Sequence, residues 1–64
     1  GASFVFVQST AQETWVIQHN LGRFPSLVAV DSAGDEVWGD VRYDSSNQVT
    51  ITFSAPFGGQ AYLN

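Results

Sequence analysis

The chain has 64 residues, no cysteine and only 12% charged residues, which excludes disulfides, cysteine-ligated metal sites and more than one domain of ordinary size. Its net charge is −4, lysine is absent and the only basic residues are Arg23 and Arg42, so binding to nucleic acid or to an anionic membrane is disfavoured. No apolar run is long enough to span a bilayer, and no membrane insertion is expected. A core this small is marginal, so we expect stability to depend on a partner, which could be a repeated copy, a neighbouring domain or an oligomer partner.

Apolar residues recur at every second position along most of the chain, which predicts β-strands. The predicted strands, in chain order, are Phe4–Val7, Thr14–Gln18, Leu27–Val30, Glu36–Tyr43, Gln48–Ser54 and Gln60–Leu63. Residues 32–35, 44–47 and 55–59 are predicted as turns, and such short connections favour antiparallel hairpins between consecutive strands. Gly39, inside the fourth predicted strand, indicates a bulge or a close approach of backbone.

These elements predict a single all-β domain over residues 1–64, a small antiparallel β-sandwich or partly open barrel of five to six short strands. Its inward-facing side chains should form one thin core. The predicted core residues are Trp15, Ile17, Leu27, Ala29, Val37, Val41, Val49, Ile51 and Phe53.

His19 is the one residue that invites a catalytic or metal-binding interpretation. It stands in the run His19-Asn20-Leu21-Gly22, where Asn20 and Gly22 tolerate left-handed backbone and Leu21 can fill the core. No nucleophile motif accompanies it, and a single His cannot supply a His-cluster zinc site. We therefore interpret the run as a structural corner and predict no catalytic residue, metal or cofactor.

Acidic residues flank the predicted turn at 32–35, with Asp31 before it and Asp35 and Glu36 at its end. A calcium site needs several converging oxygens, and this spacing does not fit the calcium loop of EF-hands. Turn chemistry and solvated loop ends explain these carboxylates better, and a cleft for a two-carboxylate glycosidase does not fit in so short a chain.

Trp38 is predicted on the outward face of the fourth strand, together with Asp40 and Arg42. A large exposed side chain such as Trp is usually buried by some contact, which an oligomer partner, a loop of the same chain or a bound sugar could provide. We favour the oligomer contact, then the loop, then the sugar.

The first predicted strand, Phe4-Val5-Phe6-Val7, is apolar on both faces, whereas a strand with one solvated face should alternate. Only one face can meet the core of so small a domain, so the other face or the strand edge should meet a partner. We therefore predict an oligomer interface at Phe4, Phe6, Trp38 and Tyr62.

One ordered set of motifs supports a more specific interpretation. It runs from Trp15-Val16-Ile17-Gln18-His19-Asn20-Leu21-Gly22 through Pro25, Val28-Ala29-Val30-Asp31-Ser32-Ala33-Gly34 and Val49-Thr50-Ile51-Thr52-Phe53-Ser54-Ala55-Pro56 to Gly59-Gln60-Ala61-Tyr62-Leu63. This pattern, over roughly residues 12–64, resembles a small β-domain of phage virion proteins, often found in tail fibres and related appendages. The resemblance implies an extracellular virion location and, because fibre shafts are commonly threefold, a homotrimer. The chain does not begin with Met, and we therefore expect it to be a fragment of a larger virion protein, with residues 1–3 as a non-native cloning remnant.

Two functions are compatible with these observations. The first is a non-enzymatic structural module that oligomerises, as a trimer, within a tail fibre, spike or related appendage and contacts neighbouring virion domains. The alternative is a receptor-binding module that recognises a host surface glycan or protein, with candidate ligand contacts at Trp38, Arg42, Tyr43, Asn47 and Phe57. The position in the virion, the host and the receptor are left open at this stage.

Overall fold

The computed structural model describes residues 2–64, so of the proposed cloning remnant only Gly1 lies outside the described residues. The strands are β1 (Phe4–Gln18), β2 (Leu27–Asp31), β3 (Glu36–Val37), β4 (Asp40–Ser45) and β5 (Gln48–Leu63). All strand pairs are antiparallel and belong to one sheet that does not close on itself, which confirms the all-β prediction. Within residues 2–64 no helix could cross a membrane.

β5 is the central strand over its whole length. Its first part, residues 48–52, lies between the C-terminal part of β1 and β4. Its last part, residues 59–63, lies between the N-terminal part of β1 and β2, and β3 extends the sheet beyond β2. Every other strand except β3 is therefore held in place by β5.

Both long strands are bent. A straight strand of 16 residues would measure about 53 Å at ~3.3 Å per residue, whereas the longest dimension of the molecule is 29 Å. The pairing of β1 with β5 shifts register between Gln8 and Gln12 and again before Thr14, as expected at β-bulges. Pro56 lies in this irregular part of β5, where its missing N–H interrupts no regular ladder.

The six predicted strands are thus rearranged into five. The first and second predicted strands are the two halves of β1, and the fifth and sixth are the two halves of β5. The predicted turn at residues 55–59 is wrong, because this segment is the bend of β5. The fourth predicted strand is divided into β3 and β4 at Trp38 and Gly39. Hairpins between consecutive strands are confirmed for β2–β3 and β4–β5 only.

The bend folds the two halves of the sheet around one core. The buried apolar residues are Trp15, Ile17, Ala29, Val49, Ile51, Phe53, Ala61 and Leu63. The predicted core residues Leu27 and Val37 are partly buried against this cluster. Val41 was wrongly predicted in the core, since it is 43% exposed on the edge strand β4, and the prediction missed Ala61 and Leu63.

Trp15 joins the two halves of the sheet. Its ring centroid lies 4.9 Å from those of Phe53 and Phe57 and 6.1 Å from that of Phe6. Its indole N–H donates to the carbonyl oxygen of Gln12 at 3.0 Å, so the one polar atom of this buried ring is also satisfied.

Two glycines permit close packing of backbones. A Cβ on Gly39 would lie 2.6 Å from the carbonyl oxygen of Thr52 and 2.9 Å from the Phe53 ring, which confirms the predicted close approach. A Cβ on Gly59 would overlap the carbonyl oxygen of Val30 in the neighbouring strand.

We expect Gly59→Ala to destabilise the fold by about 3 kcal/mol or more, because two paired backbones must move apart to admit the methyl group. Gly34→Ala is the matched control: Gly34 has a φ of 89° and open space around it, so only backbone strain of about 1 kcal/mol applies. Urea unfolding followed by Trp fluorescence measures both. Equal losses for the two variants would contradict the predicted clash at Gly59.

Candidate interaction surface

One side of the sheet half formed by β1, β5 and β2 points away from the core. We call its side chains the outer face: Val5, Val7, Val28, Val30, Gln60 and Tyr62. The pairing register arranges them in two rows, with Val5 opposite Tyr62 and Tyr62 opposite Val28, and with Gln60 between Val7 and Val30.

The outer face is largely apolar and uncovered. Val5, Val7 and Val28 are 47%, 57% and 43% exposed, although each is a β-branched residue that packs well in sheets. The only polar side-chain groups are those of Gln60 and Tyr62, and the Tyr62 hydroxyl donates to Gln60 Oε1. An exposed apolar sheet face on a chain of low charge is a candidate surface for contact with another molecule.

The predicted interface residues of β1 lie elsewhere. Phe4 and Phe6 face Leu63 and Ala61 and pack, partly buried, against the core. The exposed apolar side of this strand therefore consists of Val5 and Val7, since alternate residues of a strand point to opposite faces. Of the four residues in the predicted interface, Tyr62 is the one on the outer face. The continuous apolar run Leu27-Val28-Ala29-Val30 was the overlooked signal for the rest of this surface.

A groove of about 610 Å³ continues the outer face towards the bend. Gly58, Gly59 and Gln60 of β5 contribute to it, with β1 residues 7–11 on one side and the β2–β3 turn on the other. The groove is shallow and open, and it links the apolar rows to polar side chains of Gln8 and Asp31.

Trp38 is 77% exposed between β3 and β4. It borders a small depression of about 290 Å³ together with Asp40 and Thr52. Neither a loop nor a strand of the described chain covers its indole, so the intramolecular cover considered above is not present.

The other candidate ligand contacts do not converge on Trp38. Tyr43 packs edge-on against Phe24 with a centroid distance of 5.5 Å, and its hydroxyl donates to the carbonyl oxygen of Pro25. Phe57 stacks on Trp15 beside the core.

The two polar candidates, Arg42 and Asn47, are likewise engaged elsewhere. The guanidinium of Arg42 binds the carboxylate of Asp44 at 2.9 Å. Asn47 holds the corner that follows β1. The sequence prediction offered these residues together as one set of ligand contacts, whereas the fold separates them.

The predicted corner at His19 is built around Asn47. The carbonyl oxygen of Asn47 accepts from the N–H groups of His19 and Asn20 at 2.9 and 3.1 Å, and its Oδ1 accepts from Gly22 N–H at 3.0 Å. Asn20 and Gly22 have φ of 56° and 68°, as their residue types allow. The side chain of His19 is buried, and its Nδ1 accepts from Leu21 N–H at 3.0 Å. Within residues 2–64 its Nε2 has no hydrogen-bond partner.

The acidic turn is organised by Asp31. Its Oδ1 accepts from the N–H groups of Ala33 and Asp35 at 2.9 and 3.0 Å, which is the turn chemistry expected from the sequence. In the described part of the chain no three His, Cys, Asp or Glu side chains lie close enough together to hold a metal ion.

Asp44 is the centre of an exposed polar network on β4. Its carboxylate accepts from Thr50 Oγ1 at 2.6 Å, from Gln48 Nε2 at 3.3 Å and from Arg42 Nε at 2.9 Å. The Thr50 hydroxyl stabilises the ionised form and contributes most to lowering the pKa of Asp44; burial is the next largest effect and opposes it, and Gln48 and Arg42 lower the pKa further.

No protein-family model, no curated protein and no solved structure matches this chain.

We expect Thr50→Val to raise the pKa of Asp44 towards its ordinary value, because the variant keeps the shape of the side chain but loses the strongest donor. Thr52→Val, an exposed position in the same strand, is the control. NMR titration of the Asp44 carboxyl carbon measures the change.

The same interaction gives a pH dependence. Because the pKa of Asp44 is lowered in the folded state, its carboxylate stabilises the fold at pH values above the unfolded-state pKa of about 3.9. This stabilisation is lost as the pH falls through the folded-state pKa. Thermal unfolding between neutral and acidic pH should therefore show a smaller acid loss for Thr50→Val than for wild type. An unchanged titration of Asp44 in the variant would show that the Thr50 hydroxyl does not set its pKa.

Proposed function

We propose that this chain is a non-enzymatic structural module of a phage appendage, such as a tail fibre or spike, and that it associates with other copies of itself. The observation that carries the self-association is the outer face, where three valines are about half exposed on a domain with little charge. The phage context rests on the motif resemblance, from Trp15–Gly22 to Gly59–Leu63. The resemblance implies a virion location and three copies, whereas the outer face requires only one partner.

Two features of the site favour a structural role over catalysis. His19 is buried with Nδ1 occupied by a backbone N–H, so it offers no accessible base. The groove beside the outer face and the depression beside Trp38 are both shallow and open, unlike the enclosed clefts of most enzymes.

Receptor binding is the second candidate, and the exposure of Trp38 favours it. An uncovered indole beside the carboxylate of Asp40 is suited to stacking on a sugar ring or to anchoring a protein surface. Of the five candidate contacts, this leaves Trp38 as the one best placed to receive a ligand. A glycan array probed with wild type and Trp38→Ser tests it: binding that survives the substitution would remove Trp38 from the proposal.

We expect wild type to associate with rising concentration and the double variant Val5→Ser/Val7→Ser to remain at 6.9 kDa, because the variant removes the apolar contact area from β1. Light scattering behind a sizing column over a dilution series measures the mass. Val16→Ser is the matched control, since Val16 is also exposed on β1 but lies on its other half, outside the outer face. Wild type that stays monomeric at all concentrations would overturn self-association for this domain, and the mass reached distinguishes two copies from three.

A further inference from the structure

The sheet has three edge strands, which differ in length and charge, and a short part of β2 at Leu27 and Val28 is also open beyond β3. β3 has two residues, one of them Glu36. β4 has six residues, three of them charged: Asp40, Arg42 and Asp44. β1 has 15 residues, pairs only with β5, and carries a single charge at Glu13. Natural proteins commonly protect sheet edges by charge or shortness, and only β1 lacks both protections over residues 4–8.

The hydrogen bonds at the end of β5 indicate which backbone groups of β1 are free. Ser26 and Asn64 exchange a reciprocal pair of backbone hydrogen bonds at 3.1 and 3.0 Å. In an antiparallel sheet the bonding direction alternates along a strand, so Tyr62 and Gln60 bond to β2, while Leu63 and Ala61 bond to β1.

The partners of Leu63 and Ala61 in β1 are Phe4 and Phe6. The intervening residues, Val5 and Val7, therefore direct both their N–H and C=O groups to the open edge of the sheet. Their side chains belong to the outer face. The same two residues thus expose apolar side chains and unpaired backbone groups.

We propose that two copies of the chain pair antiparallel along residues 4–8 of β1, around a twofold axis at Phe6. Val5 then exchanges two backbone hydrogen bonds with the partner's Val7, and Val7 does the same with the partner's Val5. This inference rests on the proposed self-association and defines its contact. It requires neither the phage context nor a trimer.

The open edge of β1 is better suited to pair with the β1 edge of a second copy than with the β4 edge of that copy. The bond from His19 N–H to the Asn47 carbonyl shows that Asn47 bonds to β1, so by the same alternation Thr50 and Thr52 of β5 bond to β4. Their partners in β4 are Arg42 and Asp40. The backbone groups of Val41 and Tyr43 therefore point to the open edge of β4. Their side chains lie on the core side of the sheet, since their partners in β5 are Ile51 and Val49.

A ring built by pairing β1 with β4 would therefore join the outer face of one copy to the core side of the next. Pairing β1 with β1 instead aligns two outer faces and places Phe6 beside the partner's Phe6.

Charge also favours the twofold pair. The chain has a net charge of −4, so copies repel each other unless their acidic residues lie apart. In this register the two Glu13 residues lie at opposite ends of the paired segment. Asp31, Asp35 and Glu36 lie on the far side of β5, away from the open edge of β1.

The contact is short. Five residues span about 17 Å at ~3.3 Å each, whereas a standard interface involves about 20–30 residues and about 800 Å² on each partner. We therefore expect a dimer that forms as the concentration rises and dissociates on dilution, and that becomes persistent where a larger assembly holds the copies close together.

Three single variants test this geometry by sedimentation velocity between micromolar and millimolar concentrations. Val7→Pro removes the N–H that points to the open edge without breaking a bond to β5, so it should abolish dimers. Val41→Pro is the matched control, with its N–H at the open edge of β4, and should dimerise as wild type does. Val28→Ser removes an apolar side chain of the outer face away from the edge, and it should also dimerise as wild type does.

Hydrogen exchange on wild type gives a second readout that does not depend on any variant folding. At 90% dimer, exchange at the Val5 and Val7 amides should slow about tenfold, because only the remaining monomer exposes them. The amide of Val28, which pairs with Tyr62 inside the sheet, should not change.

The alternatives give distinct results. Dissociation by Val28→Ser but not by Val7→Pro, with no change in exchange at Val5 and Val7, would show that outer faces stack and would overturn the edge pairing while leaving self-association intact. A trimer that Val41→Pro dissociates would overturn it in favour of the ring. A monomer at every concentration would overturn self-association itself.

Discussion

The bend of β5 around Trp15 is the constraint on which the rest of the structure depends. β5 is the one strand that all others except β3 pair with, and it is too long to remain straight in a domain this small. Its bend brings Phe53 and Phe57 against the indole of Trp15 and against each other, and the indole N–H is satisfied within the same corner. One aromatic cluster thereby turns an open sheet into two halves with a common core.

The same arrangement explains why apolar side chains remain exposed on the side of the sheet that faces away from the core. The inward side chains of both halves are used by the one core, including those of Ala61 and Leu63. No second layer covers the other side of the sheet, so Val5, Val7 and Val28 have no partner within the described chain. In a larger domain a helix or second sheet would cover such a face. In the described chain this face is therefore open to solvent, and the unpaired edge of β1 lies beside it.

Local polar networks reinforce the corners where the apolar core is thin. Asn47 binds three backbone N–H groups after β1, Asp31 closes the β2–β3 turn, and Asp44 joins β4 to β5 through Thr50. These side chains looked like candidate ligand contacts or ion ligands in the sequence because amides and carboxylates serve both purposes. Their hydrogen bonds within the chain are what distinguish the two roles, and only the folded structure reveals them.

Alternation of apolar and polar residues was sufficient to determine the all-β class, the approximate positions of the strands outside residues 8–13 and 55–59, and six of the eight buried apolar residues, while the residue types at 19–22 indicated the corner at His19. It also led us to predict a partner surface involving the first strand. The alternation did not determine whether residues 55–59 form a turn or a bend, because Pro and Gly suit both. Whether residues 55–59 form a turn or a bend determines which strands pair. The pairing in turn determines which side of β1 faces the core. Phe4 and Phe6 were therefore assigned to the interface by sequence, whereas the tertiary structure packs them against the core and exposes Val5 and Val7, since the face that a strand presents depends on its neighbours rather than on its own residues.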